Sequence, residues 1–143
     1  MTLPEFENTP GHLIRRAAQV HKALWAEHVA EELTSPQYAV LVALAHESSM
    51  GQSALGEKVS LDRSTTADVV ARLSRRGLIE RVRDPEDGRR KVLAITESGT
   101  EAMRRAEPGV LIVRGKLLEG LTAEQGRQLT GLLEKLVGHY REA

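Results

Sequence analysis

The chain has 143 residues, of which 41% are hydrophobic, and this is enough for one domain with a sizeable core. Its 20 basic and 20 acidic residues cancel, and the absence of cysteine excludes disulfides, thiol redox sensing and cysteine-ligated zinc. No apolar run is long enough to span a membrane and no signal-peptide pattern opens the chain, so we expect a cytoplasmic protein with no membrane partner.

The zero net charge conceals a gradient along the chain. Residues 1–51 hold three Lys/Arg against six Asp/Glu, whereas residues 52–91 hold ten against seven. Residues 92–143 are balanced at seven each. The middle third is therefore basic, and a local basic patch is enough to bind phosphate when the rest of a protein is neutral.

Helical spacing dominates the first half of the chain. Thr9, a candidate cap, precedes a proline and a run of apolar residues with helical periodicity over 9–33. The capping-box sequence Thr34-Ser35-Pro36-Gln37 predicts the start of a second helix. A short helix is expected in QSALGEKV, and Asp62 is placed to cap a further helix that runs to about Arg76 and stops at Gly77.

The second half begins with two short β-prone runs at 79–83 and 91–95, which flank the turn sequence DPEDGRR. Thr96 then begins a helix that Pro108-Gly109 is expected to kink or interrupt. The box Thr122-Ala123-Glu124-Gln125 predicts a last amphipathic helix that ends near Tyr140.

This order of elements predicts a mainly α fold with a small β-wing. Residues 36–95 form a winged helix-turn-helix, with further helices on either side. Helix-turn-helix units place their second helix in the major groove of duplex DNA. Double-stranded DNA is therefore the expected partner.

The predicted recognition helix, LDRSTTADVVARLSRRG, divides into two faces. One is suited to the core, and the other offers short hydroxyls in the first turn, for close approach to base edges, and arginines further along, for phosphate or guanine. The core set is Thr66, Val69, Val70 and Leu73; the candidate DNA-binding set is Ser64, Thr65, Asp68, Arg72 and Arg75. A carboxylate beside DNA must pair with arginine or cytosine. An ordinary solvated helix face is the alternative interpretation.

The wing offers two more candidate DNA-binding residues, Arg89 and Arg90. Asp87 is close enough to Arg89 to brace the tip as an ion pair, and Gly88 supplies a positive φ if the turn needs one. A rigid ribbon with arginines at its end is suited to the narrow minor groove of A·T-rich DNA. A charged hairpin tip can also serve only to keep a protein soluble, but the neighbouring basic helix favours the interpretation that this wing binds DNA.

The run RGLIERVRDPEDGRRKVLAITESG resembles the wing signature of the MarR family, with its D-x-R tip and the following Thr-x-x-Gly. LDRSTTADVVARL resembles that family's recognition helix. The resemblance implies a homodimeric regulator with one domain over 1–143, in which 9–33 and 97–143 form the dimerisation helices. Such proteins usually repress a neighbouring operon and leave DNA when a small molecule binds.

A finer resemblance lies in PGHLIRRAAQVHKALW followed by TSPQYAVL. These segments are similar to a branch that controls the catabolism of aromatic acids, notably the protocatechuate-responsive repressors. The resemblance places ligand contacts on Arg15 and His21, although Ala18 replaces the first glutamine of that branch's Gln-Gln pair. Trp25, one turn after His21, adds a flat apolar wall, so Arg15, His21 and Trp25 are the candidate effector-binding residues.

Other functions have weaker support. His21 and His28 lie two helical turns apart, about 10 Å by helix rise, which is too far for one metal ion without other ligands. No catalytic motif is present, so we expect neither an enzyme nor a cofactor. Residues 52–91 lack the aromatics that stack on RNA bases. The alternative that this winged helix binds only other proteins remains open. Salt-dependent binding to duplex DNA would distinguish a DNA-binding protein from such a protein-interaction module.

Overall fold

A computed structural model describes residues 1–29 and 32–141. Within these ranges the fold is mainly helical with a small antiparallel sheet, as predicted. Its elements are α1 (Leu3–Glu7), α2 (Pro10–His28), α3 (Ser35–His46), α4 (Gln52–Lys58), α5 (Arg63–Arg75), β1 (Ile79–Arg83), β2 (Lys91–Ile95), α6 (Glu97–Leu117) and α7 (Ala123–Arg141). The predicted ranges 9–33 and 97–143 include residues 30–31 and 142–143, which lie outside the described residues.

The start of the chain differs from the prediction. The sequence pattern missed α1, although Thr2 and Glu5 form a complete capping box there. Thr9 does not cap α2 with its side chain, because its hydroxyl donates instead to the Phe6 carbonyl at 2.7 Å. Helix α2 ends at His28, short of the predicted limit at residue 33, since Val29 adopts extended backbone angles.

The helix-turn-helix is built from α3, α4 and α5 on capping interactions that the sequence predicted. Thr34 and Gln37 form the capping box of α3, and the Asp62 carboxylate accepts the backbone N–H of Thr65 at 2.7 Å. The hydrogen bonds between Asp62 and Thr65 lower the pKa of the Asp62 carboxyl, so Asp62 caps α5 as an anion at neutral pH. Gly77, with φ of +71°, ends α5 as expected.

The wing pairs β1 with β2 in antiparallel orientation, over the two runs that the sequence predicted as strands. Ile79 lies opposite Ile95, and Arg83 lies opposite Lys91 at the outer end. A single bridge joins Met50 to Leu93, whose N–H donates to the Met50 carbonyl at 2.7 Å. The wing is thereby attached to the segment between α3 and α4, and Leu93 is fully buried in the shared core.

The Thr-x-x-Gly segment fixes the wing to α6. The Thr96 hydroxyl donates to the Gly77 carbonyl at 2.6 Å and accepts the N–H of Gly99 at 3.1 Å. A Cβ at Gly99 would lie 2.1 Å from the carbonyl oxygen of Leu78, which is backbone and cannot move aside cheaply. Glycine is therefore required where α5, the wing and α6 meet.

Helix α6 runs without interruption through Pro108, so of the kink or interruption that was expected there, the interruption is wrong. Proline removes one helical hydrogen bond, and the buried residues Ala102, Ala106 and Val113 hold the helix against the rest of the chain. At Gly109 the helix passes so close to the end of α2 that a Cβ would lie 2.2 Å from the His28 carbonyl oxygen.

Helix α7 begins at the predicted box, in which Thr122 and Gln125 cap each other. Of its described residues only Gly126 is buried. Its apolar side chains lie exposed together with others on α2 and α6. We call this set the apolar face: Leu13, Ile14, Val20, Leu111, Ile112, Leu117, Leu129, Leu132, Leu133, Leu136 and Val137.

The contact at Gly99 generates a stability prediction. Gly99→Ala is expected to lower the free energy of unfolding by about 1–3 kcal/mol, because the added methyl overlaps the Leu78 carbonyl. Gly115→Ala, on the same helix but with open space around the position, is expected to be neutral or to stabilise by up to about 1 kcal/mol. Thermal and urea unfolding measure both, and equal effects of the two variants would contradict the steric account.

Candidate functional site: a nucleic-acid interface and a ligand cleft

Helix α5 presents the two faces that the sequence predicted. Thr66, Val69, Val70 and Leu73 are buried on its inner side. On the outer side Ser64, Asp68, Arg72 and Arg75 are exposed, whereas Thr65 is half-buried. The predicted DNA-binding residues of the helix therefore share one accessible surface.

The negative charge on this surface is paired within the helix. The Nε of Arg72 donates to both Asp68 oxygens, at 3.2 and 3.1 Å, and both side chains are 59% exposed. The pair neutralises Asp68 and leaves the terminal guanidinium nitrogens of Arg72 as further donors. A carboxylate on the outer face is therefore compatible with a phosphate-bearing partner.

At the wing tip the bracing differs in kind from the ion pair that was expected. The Asp87 carboxylate accepts the backbone N–H of Arg89 at 3.1 Å, and Asp84 accepts that of Glu86 at 2.9 Å. Short acidic side chains commonly accept hydrogen bonds from the backbone N–H groups of a turn. Gly88 does not adopt a positive φ, so this turn does not need one at that position. Asp87 still braces the tip, through backbone.

The two wing arginines are placed differently. Arg89 is exposed at the tip. Arg90 is also exposed, but its guanidinium lies back toward Gly51, where an added Cβ would be 3.1 Å from Nη2. Only Arg89 therefore occupies the outer position that both were expected to hold.

The sequence pattern missed several polar residues beside the recognition helix. Arg81 of β1 donates to the side chain of Gln52, the first residue of α4, at 2.8 Å. Between α4 and α5 lies a groove of about 620 Å³ whose lining includes Gln52, Ser53 and Arg63. The position of Gln52 at the start of α4, the helix that precedes the recognition helix, was the available signal. These side chains extend the candidate interface toward the wing.

A second cleft, of about 700 Å³, lies between the end of α2 and the start of α3. Its lining residues are His21, Lys22, Trp25, Ala26, Val29, Leu33, Thr34, Ser35 and Pro36. Volumes of this size accommodate small organic ligands, and apolar walls with a few polar groups are typical of such sites.

The structure brings His21 and Trp25 together in this cleft, with ring centroids 5.8 Å apart. Trp25 also packs on Tyr38, and its indole N–H donates to the Leu33 carbonyl at 2.9 Å. Trp25 can therefore offer a ligand its ring but not its N–H. Burial, and secondarily the nearby Glu107 carboxylate, raise the pKa of Tyr38, so its hydroxyl stays neutral.

Arg15 does not join His21 and Trp25 within the chain. It is exposed earlier on α2, where its Nη2 lies 2.9 Å from Nδ1 of His12. The cations that do line the cleft are Lys22 and, when protonated, His21. The sequence analysis missed Lys22 and Ser35, because the resemblance placed ligand contacts on Arg15 and His21 and on neither of these residues.

In residues 1–29 and 32–141 no three His, Asp or Glu side chains converge as metal ligands. Over the same residues no helix is both long enough and apolar enough to cross a bilayer.

The chain matches known regulators. The model of the MarR family matches residues 33–91. The transcriptional regulator HosA of Escherichia coli O111:H- is 34% identical over 130 residues, which cover 91% of this chain and 96% of HosA. The match to HosA therefore extends well beyond the helix-turn-helix and includes most of the flanking helices.

Two solved structures share the fold closely. The transcriptional regulator PcaV from Streptomyces coelicolor, in complex with its natural ligand, is 43% identical, with a TM-score of 0.87 over 96% of this chain and 98% of PcaV. BpsR of Bordetella bronchiseptica, whose DNA binding is regulated by 6-hydroxynicotinic acid, is 27% identical, with a TM-score of 0.87 over 92% of this chain and 95% of BpsR.

The geometry of α5 and the wing predicts which arginines matter for DNA. Arg72→Ala is expected to weaken operator binding by about 1–3 kcal/mol, through lost base or phosphate contacts. Arg89→Ala is expected to weaken it by removing the outermost cation of the wing. Arg104→Ala, an exposed arginine of α6, is the control. Fluorescence anisotropy with labelled duplex measures all three, and wild-type affinity in both test variants would refute this interface.

Proposed function

The chain belongs to the MarR family of transcriptional regulators, and from that premise we propose that it is a homodimeric repressor released from its operator by a small aromatic acid. The observation that carries the proposal is the cleft beside Trp25. It joins an apolar aromatic wall to cationic side chains, in a chain whose relatives include a ligand-bound and an acid-regulated protein.

In this proposal α5 enters the major groove and the wing tip follows the adjacent minor groove. Ser64 and Thr65 are short enough to let the first turn of α5 approach base edges, and Arg72 and Arg75 reach further to bases or phosphates. Arg89 at the wing tip is placed for the minor groove. The groove between α4 and α5 adds polar side chains, among them Gln52, Ser53 and Arg63, next to the DNA that α5 contacts.

The apolar face supports the dimer. Leu132 is 65% exposed and Leu111 is 56% exposed, and exposed apolar side chains also follow α2. Large patches of exposed apolar side chains mark protein interfaces. A second copy is a fitting cover, because a two-fold dimer presents two recognition helices to successive major grooves of one duplex.

The effector chemistry follows from the cleft. The ring of Trp25 is a flat wall for an aromatic ring, and Ser35 and His21 are hydrogen-bonding groups for ring hydroxyls. Lys22 is a cation for the carboxylate. Hydroxybenzoates such as protocatechuate have all three features.

Arg15 completes this site from the other subunit. Within one chain it contacts His12 and lies away from the cleft, but α2 also carries Leu13, Ile14 and Val20 of the apolar face. If the two α2 helices meet in the dimer, Arg15 of the partner subunit reaches the cleft. Effector binding then depends on dimer geometry, and so on the spacing of the recognition helices.

The dimer can be tested on α7. Leu132→Glu is expected to dissociate the protein into monomers and to abolish operator binding, because a carboxylate would be buried in an apolar interface. Lys135→Glu places the same group at a charged position of the helix and is expected to remain dimeric. Sedimentation velocity and footprinting measure both, and we expect half-sites about 10–10.5 base pairs apart. A monomer bound to one isolated half-site would contradict the proposal.

The effector can be followed through Trp25, the only tryptophan in the chain. Protocatechuate is expected to quench its fluorescence and to dissociate the operator complex. Arg15→Ala is expected to weaken effector binding about ten- to a hundredfold, the loss of charge-assisted hydrogen bonds to a carboxylate. Arg16→Ala, the neighbouring arginine, is the matched control.

The outcomes separate the parts of this proposal. Equal effector affinities of the Arg15→Ala and Arg16→Ala variants would remove Arg15 from the site. If neither protocatechuate nor any other hydroxybenzoate binds wild type, the aromatic-acid effector is wrong, and DNA binding by the dimer stands on its own test.

A further inference from the structure

We propose that residues 32–34 form a link through which the effector cleft controls the recognition helix, with Arg76 as the positioning residue at the DNA-binding end. The proposal rests on the proposed function, since it explains how effector binding reaches α5. It depends on contacts that residues 32–34 make in three directions.

The first set of contacts faces the cleft. Leu33 and Thr34 line it, and the Leu33 carbonyl accepts the Trp25 indole N–H at 2.9 Å. Leu33 is itself buried, and Thr34 caps α3 through its side chain and backbone. A ligand packed on Trp25 therefore also packs on this segment, and a shift of the indole ring shifts the Leu33 carbonyl with it.

The second set reaches the recognition helix. Nη1 of Arg76 donates a hydrogen bond to the backbone carbonyl of Glu32. Arg76 is the C-cap residue of α5, so its backbone moves with the end of that helix. The guanidinium thus spans from the recognition helix to the residue that directly precedes the cleft.

The third contact holds the same residue to α6. Nη2 of Arg105 lies 3.4 Å from Oε2 of Glu32. Glu32 therefore receives one arginine on its backbone, from the DNA-binding lobe, and another on its carboxylate, from the long helix that carries part of the apolar face. Both Glu32 and Arg105 are more than half exposed, so the ion pair is weak and can be exchanged at low cost.

The adjacent arginines at the end of α5 then have different tasks. Arg75 lies on the outer face with Arg72, whereas Arg76 turns to Glu32. Arg75 is expected to affect the affinity for DNA, and Arg76 is expected to affect the response to effector. Sequence alone does not separate them, because both are exposed arginines in the same Ser-Arg-Arg-Gly run.

Coupling through this segment requires that the effector prefer one position of it. When ligand fills the cleft, the segment and the Glu32 carbonyl move, and Arg76 carries that displacement to α5. By thermodynamic linkage, the factor by which effector weakens operator binding equals the factor by which operator weakens effector binding. Cutting the link lowers both factors together and leaves each separate affinity in place.

The test measures this factor in wild type, Arg76→Ala, Glu32→Gln and Arg75→Ala. Protocatechuate is titrated by Trp25 fluorescence with and without a duplex selected by the wild-type protein from a random-sequence pool. Arg76→Ala is expected to reduce the coupling factor by about 3- to 30-fold, the range typical of coupling residues, with each isolated affinity within about threefold of wild type. Glu32→Gln keeps the carbonyl that binds Arg76 but removes the charge facing Arg105, and is expected to have a smaller effect of the same sign.

The control and the possible results keep the two proposals distinct. Arg75→Ala is expected to weaken operator binding with an unchanged coupling factor. Arg76→Lys retains a cation, and partial recovery of coupling would support the link. If protocatechuate releases wild type and Arg76→Ala equally, the link is overturned while the proposed function stands. If neither protocatechuate nor any other hydroxybenzoate binds wild type, the link and the aromatic-acid effector fail together, whereas DNA binding by the dimer stands on its own test. A folded Arg76→Ala variant that loses operator affinity as Arg75→Ala does would overturn the link and reassign Arg76 to the DNA interface.

Discussion

An apolar surface that one chain does not cover is the constraint on which the rest of this structure depends. Helix α7 has one buried residue among those described, while Leu132, Leu133, Leu136 and other side chains of its apolar face are exposed. Burial of each methylene group contributes about 0.8 kcal/mol, so covering the eleven side chains of the apolar face would strongly favour association. We propose that a second copy provides the cover, and the separation of the two recognition helices is then set by how these helices pack.

Helix α2 contributes both to the apolar face and to the cleft that we propose binds the effector. Helix α2 has Ile14 and Val20 on that face and His21 and Trp25 in the cleft, while α6 crosses the end of α2 with Gly109 against the His28 carbonyl. Backbone in van der Waals contact cannot be compressed, so we propose that a ligand beside Trp25 displaces residues 32–34 and not α6. In the proposed dimer, effector and operator therefore act on one set of packed helices.

Local chemistry was readable from the sequence, and relations between distant segments were not. The caps at Thr34, Asp62 and Thr122 and the wing strands follow from nearby residues, and the structure confirms them. The sequence predicted a kink or an interruption at Pro108, and the helix is not interrupted, because packing on α2 outweighs one missing hydrogen bond. The roles of Lys22, Ser35 and Arg76 depend on which elements meet, and a single helix pattern contains no such information.

The central claim is that effector binding and operator binding favour different separations of the two recognition helices. Because the chain has no cysteine, Ser74→Cys on α5 allows one spin label per subunit, and electron–electron double resonance measures the distance between the pair. With operator duplex we predict one narrow distribution, matched to major grooves about 34 Å apart. Adding protocatechuate without DNA is predicted to give a different mean distance. The same distribution in both conditions, with effector shown to be bound, would contradict the account.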